Sequence, residues 1–180
     1  MVGPVNVEIR FTRLHQLFNA LDPSPLSQRE LDAEADAYIV DSVDEYPLPT
    51  PLKLVIHLPA DQLDLPESRG LEAAVRNHYA WRLVDARRKM RSLFRQGRIS
   101  LFIGLAFLFL CGAARAFTLT LAPTTASEIM AEGLLILGWV AMWRPLDTFL
   151  YDWWPIRHRC RLFEKLSAVP VESRPASGPA

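Results

Sequence analysis

Cysteine, glycine and histidine are all scarce in this chain of 180 residues, which has two, eight and four of them. Two cysteines cannot build a disulfide framework. Cys111 lies in the most apolar run and Cys160 among arginines, so the pair is expected at different depths and reduced. His15, His57, His78 and His158 are scattered along the chain, and no Cys or His pair has zinc-site or HExxH spacing. A GxSxG turn, a Walker loop and a dinucleotide fingerprint are missing too. The chain is therefore expected not to be an enzyme, with no metal, cofactor or small-molecule substrate. It also lacks a basic start followed at once by an apolar run, so no secretory signal is read and the N-terminus is expected to be mature.

Net charge is absent as well: 20 basic side chains balance 20 acidic ones. The balance is uneven along the chain. Residues 1–70 carry 5 basic and 12 acidic side chains, 71–98 carry 8 and 2, 99–150 carry 2 and 3, and 151–180 carry 5 and 3. Charge blocks flanking an apolar stretch indicate a chain that meets a membrane rather than a uniform soluble domain.

From Ile99 to Ala122 the only ionisable side chains are Cys111 and Arg115. As a helix this run spans roughly 36 Å, enough for a bilayer core of roughly 30 Å. A second apolar stretch runs from Glu128 to Trp154, after a turn at 123–127. Its uncharged centre, Gly133 to Trp143, is short, but the charge pattern requires it to cross. Arg82, Arg87, Arg88, Lys89, Arg91, Arg95 and Arg98 precede the first stretch, Arg157, Arg159, Arg161 and Lys165 follow the second, and the turn has no basic residue. By the positive-inside rule both termini are cytoplasmic. Trp153 and Trp154, with Tyr151, form an inner aromatic belt.

Charges inside the membrane are costly and therefore informative. Arg115 lies within about one turn of the level of Glu132 when the hairpin is folded about its turn. The two either pair across the helices or snorkel to the outer interface. Arg144 and Asp147 flank Pro145, which should kink the second helix, and the pair reads as a local ion pair or, alternatively, as part of a polar path. Gly104, Gly112, Gly133 and Gly138 permit close helix packing, although no GxxxG spacing occurs.

Before the membrane, Val5, Val7 and Ile9 alternate with polar residues, as do Leu52, Leu54, Ile56 and Leu58, which predicts two strands. Phe11, Leu14, Leu17, Phe18 and Leu21 repeat at helical spacing. A second helix is expected from a capping box at Ser27 and Glu30, with Leu26 and Leu31 as its staple. It would bury Leu31, Ala35, Tyr38, Ile39 and Val43, and leave Asp32, Glu34, Asp36, Asp41, Asp44 and Glu45 as a solvated acidic face, not a metal site. Pro47, Pro49 and Pro51 end it. A third helix over about 67–96 carries Arg88, Arg91, Arg95 and Arg98 on one side, suited to anionic lipid headgroups rather than nucleic acid. Gly97 is a candidate hinge between it and the first span.

A helical crossover between two strands favours parallel pairing with helices on one face. Two strands make a marginal sheet. Without a third strand in Ala60 to Leu65, completion by a partner strand or another copy is expected. The tail after Ala168 reads as disordered.

The expected fold is thus α/β, a cytoplasmic domain of two strands and three helices, plus a transmembrane hairpin of two helices, mostly helical overall. The divisions are 1–70 acidic domain, 71–98 basic juxtamembrane helix, 99–122 and 128–154 membrane helices around 123–127, and 155–180 basic segment and tail. The expected role is a bacterial inner-membrane accessory or scaffold protein that presents its domain to a partner, as a homo-oligomer or in a larger membrane complex. The alternative is a homo-oligomeric channel or transport component with Arg144 and Asp147 lining the path.

Overall fold

The computed structural model describes residues 4–19, 22, 24–25, 29–63, 70–121 and 124–176. The chain falls into two compact units, residues 1–86 with 158–180 and residues 87–157.

In the first unit, β1 (Val5–Arg10) and β2 (Leu52–Leu58) pair in parallel, in the register Val5 to Leu52 through Arg10 to His57. The alternation read from sequence fixes their inward faces: Val7, Ile9, Leu52, Leu54, Ile56 and Leu58 are buried. The third strand comes from where none was expected. Val171–Pro175 forms β3, parallel to β2 from Leu54↔Val171 to Leu58↔Pro175, in the order β1-β2-β3. The Leu54 N–H donates to Pro170 O at 3.0 Å and the Ala176 N–H to Leu58 O at 2.7 Å, one at each end. The tail is therefore not wholly disordered, and the sheet needs no foreign strand to reach three. Ala60–Leu63, weighed as a third strand, is a helical turn, α2; Asp64 and Leu65 lie outside the described residues.

Helices cover the inward face. α1 (Ala33–Asp44) contributes Ala35, Ile39 and Val43; the start of α3 (Leu71–Leu121) contributes Leu71, Ala74, Val75 and Tyr79; α5 (Trp153–Ala168) contributes Leu162, Phe163 and Leu166. Two expectations about this region fail for one reason. The helix expected over Phe11 to Leu21 is a single 3-10 turn, Leu14–Leu17, because Phe18 pairs instead with Leu31 in an antiparallel bridge. Leu31 is thereby outside α1, which starts at Ala33 with the Asp32 carboxylate accepting the Glu34 N–H at 3.0 Å. Counting Leu31 as helical rotates the apolar face onto Tyr38, which is 56% exposed, and away from Asp36, which is 6% exposed. Leu26 and Ser27 of the expected cap lie outside the described residues.

α3 runs from Leu71 to Leu121, and Glu67, its expected start, is outside the described residues. The helix passes through Gly97 without a break, so Gly97 is not a hinge. α4 (Thr125–Asp147) begins before the expected Glu128, because Thr124 caps it: its hydroxyl accepts the Ser127 N–H while Ser127 Oγ accepts the Thr124 N–H. The helical run does not end at the expected Trp154. Pro145 lies inside it, a π-helical turn follows at Thr148–Asp152, and α5 continues directly.

Candidate functional site

The second unit is built around a seam of small residues. On α3, buried and half-buried positions recur at Gly97, Leu101, Gly104, Leu108 and Cys111, and on α4 and the turn after it at Ser127, Ala131, Leu134, Gly138, Ala141, Pro145 and Thr148. The steps alternate four and three, a repeat of 3.5 residues, which keeps one stripe of a helix against its neighbour. A Cβ on Gly138 would lie 2.7 Å from Leu108 Cδ1 and 3.4 Å from Cys111 Cβ, and one on Gly97 would lie 2.9 Å from Thr148 Cγ2. Gly104 has a more particular task. Pro145 has no N–H to give the Ala141 carbonyl, and a Cβ on Gly104 would come within 3.2 Å of that oxygen. Glycine there lets α3 close over the carbonyl that proline leaves without its helical donor. The buried hydroxyls of Ser127 and Thr148 donate to the helix carbonyls of Thr124 at 2.7 Å and Arg144 at 3.2 Å, so neither is left bare.

Gly104 and Gly138 thus lie in the seam, whereas a Cβ on Gly112 or Gly133 would meet nothing within 4 Å. The membrane charges are not brought together. Arg115 and Glu132 are both exposed, Arg144 is exposed and Asp147 half-buried, and among the described residues no ion pair joins either couple. Arg88, Arg91, Arg95 and Arg98 are all exposed. Trp153 and Trp154 meet edge to face at 5.9 Å, the Trp153 indole N–H donates to Phe149 O at 2.9 Å, and the Arg157 guanidinium lies 5.4 Å over the Trp153 ring. This holds an amphipathic ring pair beside a cation.

The apolar helices are long enough to cross a membrane and are largely uncovered. In the most apolar 18 residues of each, 11% and 17% are buried. Phe102, Phe109, Trp139 and Trp143 are each at least 66% exposed. A core helix of a soluble protein would be covered there.

The first unit holds a polar cluster that sequence reasoning missed. Asp36 Oδ1 accepts from His78 Nε2 at 3.1 Å and Oδ2 from Arg82 Nη1 at 2.7 Å, tying α1 to α3. The Leu31 backbone N–H donates to His78 Nδ1 at 3.2 Å. With Nδ1 facing the Leu31 N–H and Nε2 facing the Asp36 carboxylate, both ring nitrogens are engaged. The cluster braces α1 against α3. Burial acts to raise the Asp36 pKa, but the His78 hydrogen bond and the Arg82 charge outweigh it and hold the carboxyl below its ordinary value. Beside it the Tyr79 hydroxyl is enclosed without a hydrogen bond of regular geometry. Burial first, and then the Asp36 charge, push its pKa well above the usual tyrosine range. Phe163 stacks on Tyr79 at 6.2 Å and lies under Arg82 at 5.0 Å. The signal was present in sequence: Asp36 is three residues before Ile39 and seven before Val43, and His78 and Arg82 are four apart. Among the described residues no three His, Cys, Asp or Glu side chains gather as metal ligands.

Together these features define a class: a small parallel α/β unit whose chain, between its second and third strands, runs through a close-packed pair of long apolar helices. No family model, curated protein or solved structure matches the chain.

Proposed function

We propose that the protein is an integral inner-membrane accessory or scaffold protein, a two-pass anchor presenting a small cytoplasmic domain to a partner. The observation that carries the reading is the uncovered apolar surface of the helix pair, whose large side chains face outward while its small ones fill the seam. Lipid is the solvent that suits such a surface.

Connectivity supports an even number of crossings. The chain leaves the first unit through α3 and returns to it through α5 to supply β3, so both ends of the membrane segment belong to one folded unit. The basic residues flanking those ends, and their absence from the turn, favour the cytoplasmic side of a bacterial inner membrane. Arg88, Arg91, Arg95 and Arg98 then face anionic headgroups, each contributing about 1 kcal/mol near the surface. The acidic N-terminal part, repelled by the same leaflet, is free to meet a partner.

The reading is tested on purified full-length protein. It should float with liposomes, resist alkaline carbonate, and carry no ion flux of its own. Release by carbonate would refute the anchor, and flux abolished by Arg144→Ala would favour a transport role instead.

A further inference from the structure

Among the described residues the sheet has two unpaired edges, and they are treated differently. On β3, Pro175 has no N–H to offer, and Pro170 precedes the strand. Proline at an edge blunts pairing with another chain. β1 also follows a proline, Pro4, but has none within the strand. The Val5 N–H donates to Pro51 O at 2.9 Å and the Phe11 N–H to His57 O at 3.0 Å, so the odd residues of β1 bond to β2. The even ones, Asn6, Glu8 and Arg10, turn their N–H and C=O groups to the open edge. All three are exposed, and among the described residues their backbone groups have no partner there.

The side chains on that edge are self-complementary. Glu8 and Arg10 stand on the outer face, two residues apart and of opposite sign, around the inward-facing Ile9. An antiparallel pair of β1 strands related by a two-fold axis at Ile9 puts Glu8 of each copy opposite Arg10 of the other. It exchanges four backbone hydrogen bonds between those residues and keeps every apolar side chain on the core face. The alternative centred on Glu8 keeps the same faces but sets two carboxylates against each other. Charge thus selects both occupant and register. Among the described residues Arg10 has no carboxylate within ion-pair distance, and Glu8 has His57 Nε2 at 3.4 Å and the charge of Arg174 on β3.

We infer that β1 is a self-association edge, joining two copies into a continuous six-stranded sheet in the order β3-β2-β1-β1-β2-β3. The inference rests on the first unit alone and holds whatever the membrane role.

The test uses the full chain in detergent, with mass read by light scattering during size-exclusion chromatography. The wild type should be a dimer. Glu8→Arg and Arg10→Glu each set like charges opposite, and each should weaken the dimer about tenfold or more. Their mixture restores Glu opposite Arg and should yield heterodimers, detectable with a tag on one variant. Circular dichroism checks that the exposed substitutions leave the fold intact. A wild-type monomer, a dimer that survives in both variants, as pairing through the apolar helices would give, or variants that fail to recover on mixing would each overturn the inference.

Discussion

Asp36 and Tyr79 are neighbours with opposite energetic standing, and substitution separates them. Asp36→Ala leaves the His78 N–H without its acceptor and Arg82 without its carboxylate. Because Arg82 is 43% exposed, water recovers part of the loss, and the expected destabilisation is about 2–3 kcal/mol. Tyr79→Phe removes an enclosed hydroxyl with no regular partner, so it should be neutral or stabilise by up to about 1 kcal/mol. Chemical denaturation followed through the α/β signal compares them; equal losses would contradict the assignment. The same carboxyl sets a pH dependence. Its folded pKa lies below the ordinary 3.8, so its contribution is complete above that value and is lost as pH falls through the lower folded one. Acid titration of the wild type should show a loss that Asp36→Asn lacks. The glycines sort in the same way. Gly104→Ala meets Ala141 O at 3.2 Å and Met142 Sδ at 3.1 Å and should cost about 1–3 kcal/mol, whereas Gly112→Ala meets nothing and should be neutral or mildly stabilising. Melting in detergent reads the difference.

At the scale of elements, β3 is the most exposed to test. Its Glu172 receives Arg174 at 2.8 Å and pairs with Lys53 on β2, and these cations hold its carboxyl down to about 2. Deleting residues 170–180 should expose the β2 edge, raise amide exchange across Leu54 to Leu58 and promote aggregation, while α4 keeps its protection. Unchanged exchange at β2 would show the strand to be dispensable. β1 and β2 were legible in sequence because alternation at period two is a local signal. β3 was not: Val171–Pro175 is bracketed by prolines and reads as a tail, and only pairing to a strand over a hundred residues away makes it extended. The seam escaped for a different reason. GxxxG places glycines four apart, whereas Gly97, Gly104 and Cys111 are seven apart, with larger residues at the intervening steps. The two apolar helices needed no such context, since length and composition alone mark them.

At the scale of the whole chain, the sheet and the proposed membrane topology constrain each other. β3 can pair with β2 only if the residues after α5 return to the side of the membrane from which α3 departed, because a strand cannot reach its partner across a bilayer. If the helices span a bilayer, an intact three-stranded sheet therefore requires an even number of crossings. Removing α4 with its π-helical turn, residues 125–152, while keeping α3 and the tail would leave a single crossing and strand β3 on the far side. With Cys111→Ala and Cys160→Ser as background, a cysteine at Arg159 should react with an impermeant thiol reagent only after the cytoplasmic side is opened, and one at Ala126 should react from outside. In the deletion, the cysteine at Arg159 should become reactive from outside, and β2 should lose the exchange protection that β3 gives it. Labelling at Arg159 from outside in the undeleted chain would mean either that the β2–β3 pair is broken or that the whole sheet lies outside, and either result would refute the proposed topology whatever the charge distribution implies.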